Sequence, residues 1–375
     1  MTYKALLENI SSQILGRTVV EAMLASDGRI TFKRFRKQSR RLAKLNKEFG
    51  LRTKNFVTIH RLSTAHITPV EAPLALISQI QRSGGSLLSQ LFDGHPEIHA
   101  HPHELKIGYP TKYEWPSLYL NEGPKRWLEV LFESSVISHF RNGYKKQRTM
   151  DETFLFIFLP SLQKEIFFNQ LNRIGRKTHR DILNAYMTSY FNAWLNNQNN
   201  FGPKKYITAF TPRLAMRQEN MELFFKTYPD GRLISIIRDP KNWYPSATKH
   251  KPLVYSDIRE SLKLWTQSTE ATFRNKERYG DRVCVFTFDD LICKTESVMR
   301  HLCEFLKIEF DDSLLIPSFN KLPIRPNTSF KDTRHGIIES TLNRYKSLKS
   351  QEIELIHATT SDIYRKALRI CTDFS

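Results

Sequence analysis

Leu74-Ala75-Leu76-Ile77-Ser78-Gln79-Ile80 runs straight into Gln81-Arg82-Ser83-Gly84-Gly85-Ser86, and this stretch decides the fold. Its first part is a short apolar run, which predicts a buried parallel strand. Leu87, Leu88, Leu91 and Phe92 then recur at helical spacing. The sequence therefore reads strand, small-residue loop, helix. Glycines let a backbone turn tightly and aim successive N–H groups at one anion. The helix adds its unpaired first donors and the positive end of its dipole. Arg82 contributes a charged fork, and Ser83 and Ser86 contribute hydroxyls. The loop is not of the G-x-x-x-x-G-K-[ST] type, because no Lys stands between Gly85 and the helix. That disfavours a nucleoside triphosphate kinase. The plainer reading of two glycines at such a junction is an ordinary tight turn.

Outward from this loop, strand signals return at Lys205–Thr211, Gly231–Ile237 and Arg282–Phe288, each followed by a helix-like segment. Strands alternating with helices predict a mostly parallel sheet with right-handed crossovers. Between them, residues 105–200 form a long aromatic block that reads as helical insertion. Asp181 to Asn196 carries Leu183, Tyr186, Met187, Tyr190, Phe191 and Trp194 at helical spacing. Phe154–Leu159 fits a strand or a buried helix equally. Residues 340–370 read as terminal helices. Residues 1–70 form a basic N-terminal extension. Within it the run from Phe32 to Leu45 predicts a basic helix, either a contact for a polyanion or membrane surface or a solvated helix on the core.

A second anion site follows in Leu233-Ile-Ser-Ile-Ile-Arg238-Asp239-Pro240-Lys-Asn-Trp-Tyr-Pro-Ser246. A strand ends at Arg238, and ligands of open α/β sheets gather at carboxyl strand ends. Pro240 suits the first turn of a helix, which places Ser246 about two turns along it. The two motifs together resemble those of the PAPS-dependent sulfotransferases, where PAPS is 3′-phosphoadenylyl sulfate. Gln81-Arg-Ser-Gly-Gly-Ser-Leu-Leu88 with His95-Pro96 resembles the family's P-R-S-G-T-T-L-L and later His-Pro. Arg238-Asp-Pro240 with Ser246 resembles its R-D-P and following Ser. Ala209-Phe-Thr-Pro-Arg213, Tyr228-Pro-Asp-Gly-Arg232, Phe288-Asp-Asp-Leu291 and Phe305-Leu-Lys-Ile308 are similar to landmarks between and after them. The resemblance covers residues 74–330. It departs where Gln81 replaces Pro, where Gly85 and Ser86 replace two threonines, and where Ala209 or Phe210 stands in place of a common Lys.

The resemblance implies an α/β, P-loop-like three-layer fold with a central mostly parallel sheet, large helical insertions and the basic extension, the domain itself spanning residues 71–375. It implies that Arg82, Ser83, Gly84, Gly85, Ser86 and Leu87 hold the 5′-phosphosulfate of PAPS, and that Arg238 and Ser246 hold its 3′-phosphate. Loss of one hydroxyl at Gly85 shifts that contact to backbone N–H. Ser329 and Lys331, in Asn327-Thr-Ser-Phe-Lys331, resemble a late loop that closes over the nucleotide. In one branch of the family a carboxylate shortly after His-Pro is the base. Glu104 is the first candidate here and His103 the second, both able to accept a hydroxyl proton, while Arg82 and Ser86 neutralise the leaving phosphate. His95 is expected to cap the helix after the loop. A rival is a zinc site in which His99, His101 and His103, alternating along one strand face, are joined by Glu104. Pro102 interrupts such a strand, and the expected chemistry uses no metal.

Composition fits this frame. Lys and Arg number 57 against 38 Asp and Glu, a net charge of +19 that favours anionic partners without choosing among them. The expected partners are the nucleotide co-substrate and a hydroxyl-bearing acceptor, with an anionic glycan or glycolipid favoured by the charge. Nucleic acid is disfavoured, and peripheral contact with a membrane stays open. The N-terminus lacks a signal-peptide core and no run of apolar residues is long enough to span a bilayer, so a cytoplasmic enzyme is expected. Cys284, Cys293, Cys303 and Cys371 form no C-x-x-C pair and read as reduced, buried thiols. The alternatives from other classes are a P-loop nucleotide-dependent kinase and a catalytically silent polyanion-binding protein on the same fold.

Overall fold

A computed structural model describes residues 66–107, 114–133, 135–136, 156–324 and 336–374, together with the backbone of strands Arg29–Ile30, Tyr144–Thr149 and Glu152–Phe154. The chain divides into two compact units. One comprises residues 72–117, 204–319 and 323–375; the other comprises residues 1–71, 118–203 and 320–322.

The first unit is built on five strands: β1 (Leu74–Ile77), β2 (Ile98–Glu104), β3 (Tyr206–Phe210), β4 (Arg232–Ile237) and β5 (Val283–Thr287). They lie in the order β2-β3-β1-β4-β5, and every pairing is parallel. β1, β3 and β5 are buried throughout and β4 almost so, as near-continuous apolar strands covered on both faces must be. On one face Ala75, Ile77, Ile234, Ile236, Cys284 and Phe286 pack with helix α1 (Gly85–Leu91) through Leu88 and Leu91, together with Leu291, Val298 and Leu302. On the other face α2 (Ile258–Tyr279) and α3 (Ser350–Ile370) pack against β5. This is the expected three-layer α/β architecture with a parallel sheet.

β2 is the strand that periodicity did not announce. It carries Pro102 at the sheet edge, where the missing donor is tolerated, and its register against β3 shifts between Ala100 and Glu104. His99, His101 and His103 therefore do not form a regular ligand face. Among the described residues no three His, Cys, Asp or Glu side chains gather as a metal-binding group.

In the second unit, helices Pro160–Asn172 and His179–Ala193 pack on each other. The second of these opens with a capping box in which Thr178 and Asp181 bond reciprocally. Leu183, Tyr186, Met187, Tyr190 and Phe191 are all buried, as their spacing required. The block is not purely helical, however. Tyr144–Thr149 and Glu152–Phe154 form an antiparallel sheet with Arg29–Ile30, and Phe158 bridges to Trp194 just before the helix begins at Pro160. The basic run from Phe32 to Leu45 lies outside the described residues.

All four cysteines are free thiols. Cys284 and Cys303 are buried as expected, whereas Cys293 is exposed. Among the described residues no helix is long and apolar enough to cross a membrane.

Candidate active site

The loop between β1 and α1 is tied to both neighbouring strand ends. Ser78 Oγ donates to Thr211 O (2.6 Å) beyond β3, and Ser235 Oγ of β4 donates to Ser78 O (3.0 Å). The chain then takes two left-handed residues, Arg82 (φ 70°) and Gly84 (φ 99°). For Arg82 this conformation costs about 1–2 kcal/mol, which the surrounding hydrogen bonds must hold in place.

The glycines are required by close approach. A Cβ on Gly84 would stand 2.5 Å from the Phe288 ring, and one on Gly85 would stand 2.6 Å from Phe210 Cδ2 and 2.5 Å from Gln79 Nε2. The buried Phe210 ring and the Gln79 amide together occupy the space that a side chain at position 85 would need.

The first intrahelical bond runs from Leu88 N–H to Gly84 O, so the N–H groups before it have no helical partner. Ser83 Oγ, 1% exposed, has no partner among the described residues. Ser86 and Leu87 follow in the first turn, Leu87 half-buried against the core.

Arg238 leaves the carboxyl end of β4, next to β1, and is 4% exposed. Its Nη1 donates to Arg82 O (2.7 Å) and its Nη2 to Thr341 O (2.9 Å), while its guanidinium lies 4.3 Å from the Phe288 ring centroid. Its Nε has no partner among the described residues. Trp265 Nε1 fixes the Arg238 carbonyl at 3.0 Å.

The Asp239 side chain caps the next helix, Pro240–His250, by accepting from Lys241 N–H (2.8 Å). That helix carries the buried Ser246 back to the loop, where Arg82 Nε donates to its Oγ at 3.3 Å. Burial, then the neighbouring Arg82, with Arg344 adding to it, push the Arg238 guanidinium down to about 9. Arg82 is lowered by burial and by Arg344. All three remain cations at neutral pH. Asp289 and Asp239 also stand near Arg238 and oppose the downward shift, so the buried guanidinium faces carboxylates as well as cations.

Gln81, standing in place of the family's Pro, is a hub. Its Oε1 accepts from Arg213 Nε (2.6 Å) and from Tyr255 OH (3.3 Å), and its carbonyl accepts from Trp243 Nε1 (2.8 Å). Arg213, itself left-handed (φ 66°), also donates through Nη2 to Tyr255 OH (2.8 Å).

On the far side of β1, Glu104 pairs in register with Phe210. Leu105 N–H donates to Phe210 O (2.9 Å) and Thr211 Oγ1 to Leu105 O (2.9 Å), which anchors the chain just past Glu104. Glu104 is half-buried and His103 buried. His101 Nδ1–H donates to His103 O (2.8 Å). Burial, and then Lys204, push His99 down to about 3, so it is neutral at neutral pH.

His95 does not cap α1. Its Nε2 donates to Glu309 O (2.9 Å) and its Nδ1 accepts from Glu97 N–H (3.2 Å), which joins the turn after α1 to a distant segment. Burial lowers its pKa and the backbone bond to Glu309 opposes this.

Arg82 to Leu87, Arg238 and Ser246 thus come together, and Glu104 and His103 stand at the same sheet edge two strands away. Ser329 and Lys331 lie outside the described residues. Sequence reasoning missed Arg344, Tyr255, Trp243 and the buried Gln79. Arg213 had been quoted only as part of a landmark.

These features define an α/β protein with a glycine loop and a buried arginine together at the carboxyl edge of a parallel sheet. The sulfotransferase family model matches residues 73–312. The chain belongs to the sulfotransferase family and is an enzyme of that family. No curated protein sequence matches it significantly. Among solved structures it is similar to the sulfotransferase domain from the curacin biosynthetic pathway (18% identity, 78% of this chain and 99% of that one covered, TM-score 0.45). It is also similar to the sulfotransferase domain from the Synechococcus PCC 7002 olefin synthase (18%, 83% and 98%, TM-score 0.45) and to a mouse sulfotransferase complexed with PAP (12%, 83% and 90%, TM-score 0.37).

Proposed function

We propose that the protein transfers the sulfuryl group of PAPS to a hydroxyl of its acceptor. The observation that carries this reading is the pair of anion cradles on adjacent strands: the loop with the orphaned Ser83 hydroxyl, and the buried Arg238 with an orphaned Nε beside Arg82 and Ser246. A nucleotide with phosphate at both its 5′ and 3′ positions satisfies both. Arg82, Ser83, Gly84, Gly85, Ser86 and Leu87 hold the 5′-phosphosulfate. Arg238 and Ser246 hold the 3′-phosphate, with Arg344 adding charge. Ser329 and Lys331 are further candidates for nucleotide contact.

In the reaction the acceptor oxygen bonds to sulfur as the sulfur–oxygen bond to the 5′-phosphate breaks. The acceptor proton passes to Glu104, or to His103 if that group is the closer. Adenosine 3′,5′-bisphosphate leaves, its new charge met by Arg82 and Ser86. The acceptor is a carbohydrate, a glycolipid or another small hydroxyl compound, and the net charge of +19 favours an anionic one.

The test is calorimetric titration with adenosine 3′,5′-bisphosphate and with AMP, on the wild type and on Arg238→Ala. The bisphosphate should bind and AMP should bind far more weakly. Arg238→Ala should lower bisphosphate affinity by about 30-fold or more, since a buried charged contact is removed. Equal binding of AMP, or indifference to Arg238→Ala, refutes the assignment.

A further inference from the structure

We propose that the side-chain amide of Gln79 donates a hydrogen bond to the transferring sulfuryl group, an inference that rests on the sulfotransferase reading above. Gln79 follows β1 and is 3% exposed, yet neither its Nε2 nor its Oε1 has a partner among the described residues. Its main chain is already committed, because its carbonyl accepts from Arg213 N–H at 3.0 Å. A buried amide left without partners is unfavourable. A ligand at the loop supplies what the fold leaves out.

Direction comes from the two glycines. The bare Cα of Gly84 faces Phe288 and Ile236, on the side of β4 and β5 where Arg238 is buried. The bare Cα of Gly85 faces the other way, toward Phe210 at the end of β3 and toward Gln79, whose Nε2 is 2.5 Å from the position a Cβ would take. Phe210 is in turn the register partner of Glu104. Gln79 therefore stands on the Glu104 side of the loop, opposite Arg238.

The chemistry suits that place. The leaving nucleotide gains charge and meets cations. The sulfuryl group moves away from them, and a neutral amide N–H can orient its oxygens without holding it as a full charge would. The nearby Arg213 guanidinium is engaged by Gln81 and Tyr255.

The experiment titrates PAPS and adenosine 3′,5′-bisphosphate, without acceptor, into full-length wild type and Gln79→Met. Met keeps the length of Gln and removes the donor. PAPS affinity should fall about tenfold while bisphosphate affinity stays unchanged, because only PAPS carries the sulfuryl group. Gln79→Leu should give the same split and serves where Gln79→Met perturbs folding, as judged by thermal melts. An equal loss for both nucleotides makes Gln79 a support of the loop and overturns the proposal, as does no loss for either. If wild type binds neither nucleotide, the sulfotransferase reading itself fails.

Discussion

The two flanks of the β1 loop are made of opposite materials. Toward β4 the site is rich in charge: Arg82, Arg238 and Arg344 act on one another, with Asp289 and Asp239 beside Arg238, whose guanidinium is pushed down to about 9 by burial and then by Arg82. Toward β3 it presents the Phe210 ring and the Gln79 amide, with the Arg213 guanidinium held beyond them by Gln81 and Tyr255. For the proposed sulfuryl transfer, this difference would put the nucleotide on the side of Arg238 and the acceptor on the side of Glu104.

The largest test of the contrast is on the Glu104 side. Glu104→Gln should lower turnover by about two to four orders of magnitude, with any hydroxyl acceptor the wild type sulfates, and leave bisphosphate affinity intact. If His103→Gln gives the large loss and Glu104→Gln the small one, the base is the histidine.

A smaller effect is structural. Gly85→Thr should destabilise the protein by about 1–3 kcal/mol through overpacking against Phe210, read from the urea midpoint. Gly85→Thr combined with Phe210→Ala should cost less than the sum of the two single changes. Strict additivity would mean that the ring does not fill that space.

A separate effect, read as a slope against pH, is the acid limb of stability. His99 titrates near 6.5 when unfolded and is pushed down to about 3 when folded. Between those values the unfolded chain binds the extra proton, so its contribution is fully present above pH 6.5 and is lost as pH falls toward 3. The slope from this group is about 1.4 kcal/mol per pH unit. His99→Gln should flatten that limb by the same amount in urea melts recorded across the window, and an unchanged limb would place His99 in a more solvated setting.

The legible parts were those written locally. Four strands appear as continuous apolar runs, and the loop and Arg238 sit at their ends, so sequence order alone brought Arg82 and Arg238 to adjacent strand termini. β2 was harder because Pro102 and the alternating histidines disguise an edge strand with a register shift. Arg344 carried no signal, since it comes from an irregular 3-10 segment, Glu339–Ser347, about a hundred residues beyond Arg238. Gln81 looked like a bare departure from a family proline. Only the fold shows that its carbonyl and amide oxygens are both engaged, by Trp243, Arg213 and Tyr255. Gly85 looked like freedom for a phosphate loop, and turned out to be a lack of room.

That lack of room ties residues 85 and 210 into a shared history. A side chain can enter at 85 only after the ring at 210 has shrunk, and a large ring can settle at 210 only where 85 is bare. Among related chains the two positions should change together, although the sequence sets them far apart.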